Sequence, residues 1–220
     1  MARTPSGTIS AVATEFALSK VVTAISNAVE AVVNCAGHDC DPNDIVVIQS
    51  GWARISRRAF RVKATPTVDT LVLEQADTTS LTLYPAGGGA GSLVKVNTWV
   101  QLTSTLNPTS SGGEAKKVTY KFQESDQEFS INDGFSAVDR GFDMDADAIT
   151  TPGYLALRKL TEVQIDTVMR KVAKSGATSY LPCTVNLNEE EIETDGQIVV
   201  CKVAVSGNAR STRYATPAVV

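Results

Sequence analysis

Valine and threonine are the two residue types that most constrain the fold, at 26 and 24 of 220 residues. Both side chains branch at Cβ, which restricts their rotation in a helix and suits them to the pleated surface of a sheet. With 43% of its residues hydrophobic, the chain can bury a substantial core, so wholesale disorder is excluded. The composition therefore predicts a β-rich globular protein. Its length allows one large β-domain or two small ones.

The net charge limits the classes of function. The chain has 20 basic and 24 acidic residues, a formal charge of −4, whereas a duplex-DNA binder needs a basic face that displaces counterions. His38 is the single histidine, so a histidine-based catalytic site has one candidate. No run of about 18 apolar residues is present, which excludes a membrane-spanning helix. The N-terminal residues include no apolar segment of signal-peptide length, and we expect assembly in a cytoplasm.

Apolar alternation and turn residues predict an antiparallel β-sandwich or open barrel of two packed sheets with long loops. Residues 1–20 have no clear periodicity and are predicted to form an extended arm or a weak first strand. Residues 104–116 are rich in turn formers and predict a flexible loop. We expect the whole chain, 1–220, to form a single domain.

A glycine-rich segment between two apolar stretches predicts a long hairpin over residues 76–93. A large hairpin with apolar sides and no obvious local core is a candidate assembly element, and an ordinary hairpin lying on its own sheet is the alternative. Its candidate contact residues are Leu81, Leu83, Tyr84, Leu93 and Val94.

One segment changes from strand to helical periodicity. Four apolar residues recur there at helical spacing: Ile165, Val168, Met169 and Val172. Thr161 and Gln164 resemble a capping box, and Gly176 is suited to ending a helix. The pattern predicts one flanking α-helix at about 161–174.

Three groups of residues resemble ligand sites. Cys35, His38 and Cys40 are close in sequence, but structural zinc needs four ligands and Cys183 and Cys201 are isolated. This favours buried thiols beside a turn histidine over a zinc site, and a cytoplasmic disulfide between Cys35 and Cys40 is disfavoured.

The second group, Asp143, Asp145 and Asp147, imitates the start of a calcium loop. Ala148 stands where that loop requires glycine, and Tyr154 stands where it requires glutamate. A solvated acidic edge is favoured over weak calcium binding. The third group, the glycines at 87–91, is not followed by the Lys-Ser/Thr of a phosphate loop. We therefore expect no cofactor, no metal and no catalytic site.

Opposite charges are concentrated in two segments. The basic segment holds five cations in ten residues: Arg54, Arg57, Arg58, Arg61 and Lys63. The acidic segment holds eight carboxylates against Arg140 alone: Glu124, Asp126, Glu128, Asp133, Asp139, Asp143, Asp145 and Asp147. Two solvated faces are one interpretation. The other is that the segments meet across a subunit boundary, where complementary charge fixes register.

Short motifs occur in a definite order along nearly the whole chain. In order they are Ala24-Ile-Ser-Asn-Ala28, Ala31-Val-Val-Asn-Cys-Ala-Gly-His38, Asp44-Ile-Val46, Ser50-Gly-Trp52, Phe60-Arg-Val62, Thr78-Thr79, Tyr84-Pro-Ala-Gly87, Gly112-Gly113-Glu114, Val118-Thr-Tyr120, Pro152-Gly-Tyr154 and Tyr214. This succession resembles the major tail tube proteins of long, non-contractile-tailed bacteriophages (siphophages). The resemblance implies two orthogonal antiparallel sheets with a flanking helix. It also implies a structural virion protein of the phage tail that self-assembles into hexameric rings, and these rings stack into a tube for DNA delivery.

Partners implied by the resemblance are further copies of the chain and the tape-measure, tail-terminator and tail-tip proteins. Viral DNA would pass through the lumen without specific binding, and the acidic segment suits a lumen that repels phosphate. Two alternatives are a β-sandwich tail-tip, receptor-binding or carbohydrate-binding module, and an enzyme with an acid pair among Asp143, Asp145 and Asp147. The low aromatic content, 6%, disfavours the sugar binder, and the lack of an apolar pocket signal disfavours the enzyme.

Overall fold

The computed structural model describes residues 6–216, so the part of the predicted arm at residues 1–5 lies outside the described residues. Strands make up 52% of the structure and helices 8%, and the strands pair in antiparallel sheets. The predicted fold class is therefore confirmed. The strands are β1 (Ile9–Phe16), β2 (Lys20–Val22), β3 (Ala24–Ile25), β4 (Val32–Asn34), β5 (Ile45–Ser50), β6 (Arg58–Thr67), β7 (Thr70–Leu73), β8 (Gly91–Leu102), β9 (Thr105–Gly112), β10 (Ala115–Tyr120), β11 (Phe129–Phe135), β12 (Val138–Asp145), β13 (Thr167–Val172), β14 (Thr178–Ile192), β15 (Val200–Gly207) and β16 (Thr212–Tyr214).

Fourteen of these strands form one large curled sheet. Its main path runs β3-β4-β7-β6-β5-β8-β1-β13-β14-β15-β12-β9, while β2 pairs with β8 and β16 pairs with β14. The remaining two strands, β10 and β11, pair only with each other. This two-stranded ribbon is connected to the large sheet through β9 and β12, which are its neighbours in the chain.

The first strand lies in the interior of the sheet. β1 is hydrogen-bonded to β8 on one side and to β13 on the other, and Ala11, Val12 and Ala13 are buried. Of the two interpretations offered for residues 1–20, the structure shows a strand at 9–16. Burial on both sides explains why its sequence lacks the alternation of a half-exposed strand.

The helix prediction was wrong in position. The α-helix α1 spans Pro152–Val163, and residues 167–172 of the predicted helix form strand β13 instead. Thr151 caps the N-terminus of α1 by accepting a hydrogen bond from the Tyr154 N–H, and Pro152 occupies the first turn, where its missing N–H has no cost. The sequence of β13 was interpreted as helical because its first three residues are all buried. It therefore lacks the alternation of apolar and polar residues expected of a strand.

The large sheet is covered differently on its two faces. On one face α1 contacts β14, β8 and β1, and its buried side chains Tyr154, Leu157 and Leu160 join a core with residues of β12 to β15. On the other face, Val168 and Tyr180 pack with residues of β5, β6 and β16. The residues that cover this second face do not extend over β15 and β12, where alternate side chains are exposed on β15 and mostly half-buried on β12.

Residues 76–93 do not form the predicted hairpin. The segment at 77–90 is a turn-rich loop, and β8 pairs with β1, β2 and β5 rather than with residues 81–84. The loop is held against its own core, because Trp52 Nε1 donates to the Pro85 carbonyl at 2.9 Å and Asn27 Nδ2 donates to the Tyr84 carbonyl at 2.9 Å. Tyr84 of the short apolar run at 81–84 therefore packs locally, while Leu81 and Leu83 remain exposed.

The predicted loop at 104–116 is also corrected. Residues 105–112 form β9, the last strand of the large sheet, which is paired on one side with β12. Pro108 has no N–H to donate, and it is tolerated because an edge strand has one unpaired side. The turn-forming residues at this site therefore indicate an edge strand instead of a loop.

Candidate assembly interface

The ribbon β10–β11 has one apolar face and one polar face. Val118 is paired with Ile131, and Tyr120 with Phe129, so these four side chains share a face. Thr119 and Ser130 are paired on the opposite face. The alternation that normally places one side of a strand against a core is therefore present here.

This apolar face has no core to cover it. Val118, Tyr120, Phe122, Phe129 and Ile131 are each between 38% and 55% exposed. The rings of Tyr120, Phe122 and Phe129 contact one another, with centroids 5.3 to 6.1 Å apart. A two-stranded ribbon alone is marginally stable, and a contiguous exposed apolar patch marks a contact surface.

At the root of the ribbon, the guanidinium of Arg210 lies over Phe135, 4.7 Å from the ring centroid, and Phe135 remains 53% exposed.

The five residues predicted for a stacking hairpin are placed elsewhere. Leu93 is buried in β8, Val94 is half-buried beside it, and Tyr84 packs edge-on against Trp52 at 5.3 Å. Only Leu81 and Leu83 are well exposed. The segment does not form the predicted hairpin, its role in assembly stays a prediction, and the alternation of Val118, Tyr120 and Phe122 was a readable signal for the ribbon.

The basic segment is divided by the fold. Arg61 is only 5% exposed, donates two hydrogen bonds to the Glu74 carboxylate and one to the Thr216 carbonyl, and lies over the Tyr214 ring at 4.4 Å. The Glu74 hydrogen bond raises the pKa of Arg61, so its charge is stabilised within the subunit. Lys63 pairs with Glu30 at the surface.

Arg58 is half-buried over the Phe60 ring and donates to Thr212 Oγ1 at 3.3 Å, whereas Arg54 and Arg57 are exposed. Of the predicted basic surface, Arg54 and Arg57 are therefore the two side chains that remain available without loss of an internal contact. The pairing of this segment with a neighbour stays a prediction.

The acidic segment is also divided, between two surfaces. Glu124, Asp126, Glu128 and Asp133 lie on the exposed ribbon and its connecting turn. Asp139, Asp143 and Asp145 alternate along β12, on the face of the large sheet opposite to α1, and Asp143 lies beside Lys202 of β15. Asp147 is exposed in the 3-10 helix Ala146–Thr150.

Two of the aspartates considered for calcium or acid catalysis have structural hydrogen bonds. Asp143 accepts a hydrogen bond from Asn107 Nδ2 at 2.9 Å. Asp145 caps the 3-10 helix by accepting from the Asp147 N–H at 3.0 Å. Within residues 6–216 no group of three or more histidine, cysteine, aspartate or glutamate side chains is placed to hold a metal ion.

His38 is used in local structure. Its Nδ1 accepts from the Cys40 N–H at 3.0 Å, and its Nε2 lies 3.1 Å from the Thr67 carbonyl and 3.2 Å from the Thr70 carbonyl. Two carbonyl acceptors require Nε2 to carry the proton, so the ring ties the turn after β4 to β6 and β7. Both nitrogens are thereby occupied.

All four thiols are free and buried. Burial raises the pKa of Cys40 to about 11 and that of Cys183 to about 12, and it also raises the pKa of Cys35 and Cys201. Because the thiolate is the reactive form, native protein at pH 8 is expected to react with a thiol reagent only at the rate of unfolding. Labelling with and without denaturant tests this. A thiol that is labelled within seconds in the native state would contradict it.

The folded chain defines a class of protein: an antiparallel β-subunit with a projecting apolar ribbon and an open sheet edge at β9, both suited to contact with other proteins. The family model described as Phage tail tube protein, TTP, matches residues 50–216, and the chain belongs to this family. The predicted family is therefore confirmed, with a structural role in the phage tail. No curated protein matches the chain. No helix within residues 6–216 is long and apolar enough to cross a membrane.

Proposed function

We propose that this chain assembles with copies of itself into stacked hexameric rings, and that the rings form the tube through which phage DNA is delivered. The observation that carries this proposal is the uncovered apolar face of β10–β11. Family membership supports a structural tail role and association with other tail proteins. The ring number and the passage of DNA follow from the resemblance described above.

The ribbon supplies the driving force for association. Burying a large apolar side chain fully contributes about 1.5 to 3 kcal/mol, so completing the burial of five half-exposed ones contributes several kcal/mol. One such contact between two subunits is weak. In a ring or stack each subunit makes several contacts at once, and the second contact is formed at a high effective concentration.

The edge strand β9 supplies a second contact. All but one of its residues are exposed, and within the described chain β12 is its single paired neighbour. Free N–H and C=O groups on such an edge can pair with a strand of another subunit, which continues the sheet from one copy to the next. The ribbon follows β9 directly in the chain, so both contacts lie at the same side of the subunit.

The uncovered face of β12 and β15 is our candidate for the channel lining. It is polar: Asp139 and Asp143 alternate on β12, and Lys202, Ala204 and Ser206 alternate on β15. A polar face with the exposed carboxylate of Asp139, the half-buried one of Asp143 and no apolar patch repels phosphate and gives DNA no surface on which to adhere. The remaining partners, the tape-measure, tail-terminator and tail-tip proteins, would contact the lumen and the two ends of the tube.

A tail-tip, receptor-binding or carbohydrate-binding module is the second candidate, and the exposed aromatic rings of the ribbon are what favours it. Sugar sites place such rings beside polar groups in a cleft. Here Tyr120, Phe122 and Phe129 lie on a projecting two-stranded ribbon, while Trp52 is buried and Trp99 packs against Tyr180 at 5.9 Å. This arrangement favours a protein partner.

Electron microscopy of the purified protein in negative stain, over a range of concentrations, tests the proposed function. We expect regular tubes with a central channel above a threshold concentration. Limited trypsin digestion supplies a second readout, since Lys116, Lys117 and Lys121 are exposed on the ribbon and should be cleaved in the monomer but protected in tubes. A protein that remains monomeric at every concentration, with and without a tail initiator complex, would contradict the proposal.

A further inference from the structure

Three cations converge on a pair of adjoining cavities near the root of the ribbon. Arg140 of β12 and Lys171 of β13 line both cavities, and Arg213 of β16 lines the first. Lys171 and Arg213 are each paired with Ser179 in the sheet, which places them on the same face. The cavities measure about 390 and 440 Å³, and no acidic residue lines either of them.

These three charges have no partner within residues 6–216. None of them forms an ion pair with a described carboxylate, and Arg140 Nη1 is buried without a hydrogen-bond acceptor. Burial and Arg213 lower the pKa of Arg140, and burial and Arg140 lower the pKa of Lys171. Like charges therefore repel one another in a partly desolvated site.

Such a cluster is costly in an isolated subunit. A buried donor without an acceptor destabilises the folded subunit relative to a satisfied donor, and the cost is larger when the donor is charged. An incoming carboxylate would satisfy the donor and reduce the repulsion. The cluster is therefore organised to receive an anion.

The turn of the ribbon, residues 121–128, carries the complementary charge. Glu124, Asp126 and Glu128 are exposed there and make no ion pair with a described residue. Strands rise about 3.4 Å per residue, so the turn lies about 25 Å from the ribbon root. Arg213 lies near that root, since it shares a third cavity with Gly113 and Phe135. An extended ribbon therefore cannot bring its own turn to its own cations.

We propose that the acidic turn of one subunit's ribbon docks into the Arg140–Lys171–Arg213 cavity of a second copy. Three carboxylates then meet three cations, and the apolar face of the ribbon lies along the neighbouring subunit. The inference rests on the proposed self-assembly and names the surface that receives the ribbon. Complementary potentials of this kind set register and exclude wrong pairings.

Charge reversal on each side, followed by a swap, tests the docking. Arg213→Glu and Lys171→Glu are each expected to raise the threshold concentration for tubes at least tenfold. The matched control is Lys159→Glu, an equal charge change at an exposed position of α1, which should leave the threshold within twofold. The ribbon variant with Glu124, Asp126 and Glu128 all changed to Lys should assemble as poorly as the cavity variants. Thermal unfolding of each monomer shows whether the fold is intact.

The decisive experiment mixes the cavity variant with the ribbon variant and measures tube formation. The cavity variant and the ribbon variant should co-assemble, because each supplies the surface that complements the other. Tubes of Arg213→Glu and Lys171→Glu at the wild-type threshold would overturn the docking while the proposed function stood. No tubes from the wild-type chain would overturn the proposed function itself. If the mixture fails although both variants fold, the two surfaces do not meet and the docking is likewise overturned.

Discussion

Replacing Tyr120 and Phe129 with aspartate is expected to abolish tube formation and to leave the unfolding of the subunit body unchanged. These two residues form a cross-strand pair at the centre of the exposed face of β10–β11, and neither packs against the large sheet. Each aspartate removes apolar area and would introduce a charge that the contact must desolvate. Loss of several kcal/mol per contact, repeated across a ring, is sufficient to prevent assembly.

The matched control changes the other face of the same ribbon. Thr119 and Ser130 are the adjacent cross-strand pair, so the double change to aspartate introduces the same two charges at a cross-strand separation that differs by only about 1 Å. The penalty from like charges within the ribbon is therefore similar in the two variants. Electron microscopy and sedimentation should show tubes for the control and monomers for Tyr120→Asp with Phe129→Asp. Equal behaviour of the two variants would show that the apolar face is not the contact.

Glu74→Ala is expected to destabilise the folded subunit by about 3 kcal/mol, because it leaves Arg61 buried without its carboxylate. Arg61 also donates to the Thr216 carbonyl, and its backbone N–H donates to the Tyr214 hydroxyl at 2.8 Å. The pair therefore holds β16 against β6. For a chain of this length, the loss corresponds to a decrease of about 6 to 12 °C in the melting temperature.

Glu30→Ala is the matched control for that change. It breaks the pair with Lys63, two residues further along β6, where the lysine side chain is 53% exposed. Exposed pairs contribute between 0 and about 1 kcal/mol, so the melting temperature should fall by no more than about 4 °C. Denaturant unfolding and calorimetry measure both variants. A loss from Glu74→Ala as small as that from Glu30→Ala would show that Arg61 is not held by a buried pair.

The two charge segments show where sequence reasoning succeeds and where it fails. Charge along the chain was visible, but the sequence did not show that Arg61 faces Glu74 or that Lys63 faces Glu30. Arg140 appeared only as an exception within an acidic segment. It joins Lys171 and Arg213 because β12, β13 and β16 are brought together by pairings between residues far apart in the chain.

Local periodicity led to a wrong prediction where a strand is buried on both faces, because the alternation of apolar and polar residues is then absent. β13 lost its alternation because both of its faces are covered, and it was interpreted as a helix. The capping signal of the real helix, Thr151 followed by Pro152, depends on two adjacent residues and was available from the sequence. Pro108 and the glycines near it were interpreted as a loop, because the sequence does not show which strand will lie at an edge.

The sequence by itself determined the β-rich class, through its excess of β-branched residues, and it determined the family, through a succession of motifs that the match to residues 50–216 confirms. Only the tertiary structure decided which hairpin projects. Residues 81–84 and 118–122 both alternate apolar side chains, but the first segment lies in a loop whose Tyr84 carbonyl is hydrogen-bonded to Asn27, whereas the second lies in a ribbon that pairs with no other strand of the described chain. Whether an apolar side chain is buried or stays exposed for a partner depends on which distant parts of the chain pack beside it. The local pattern of apolar and polar residues does not contain this information.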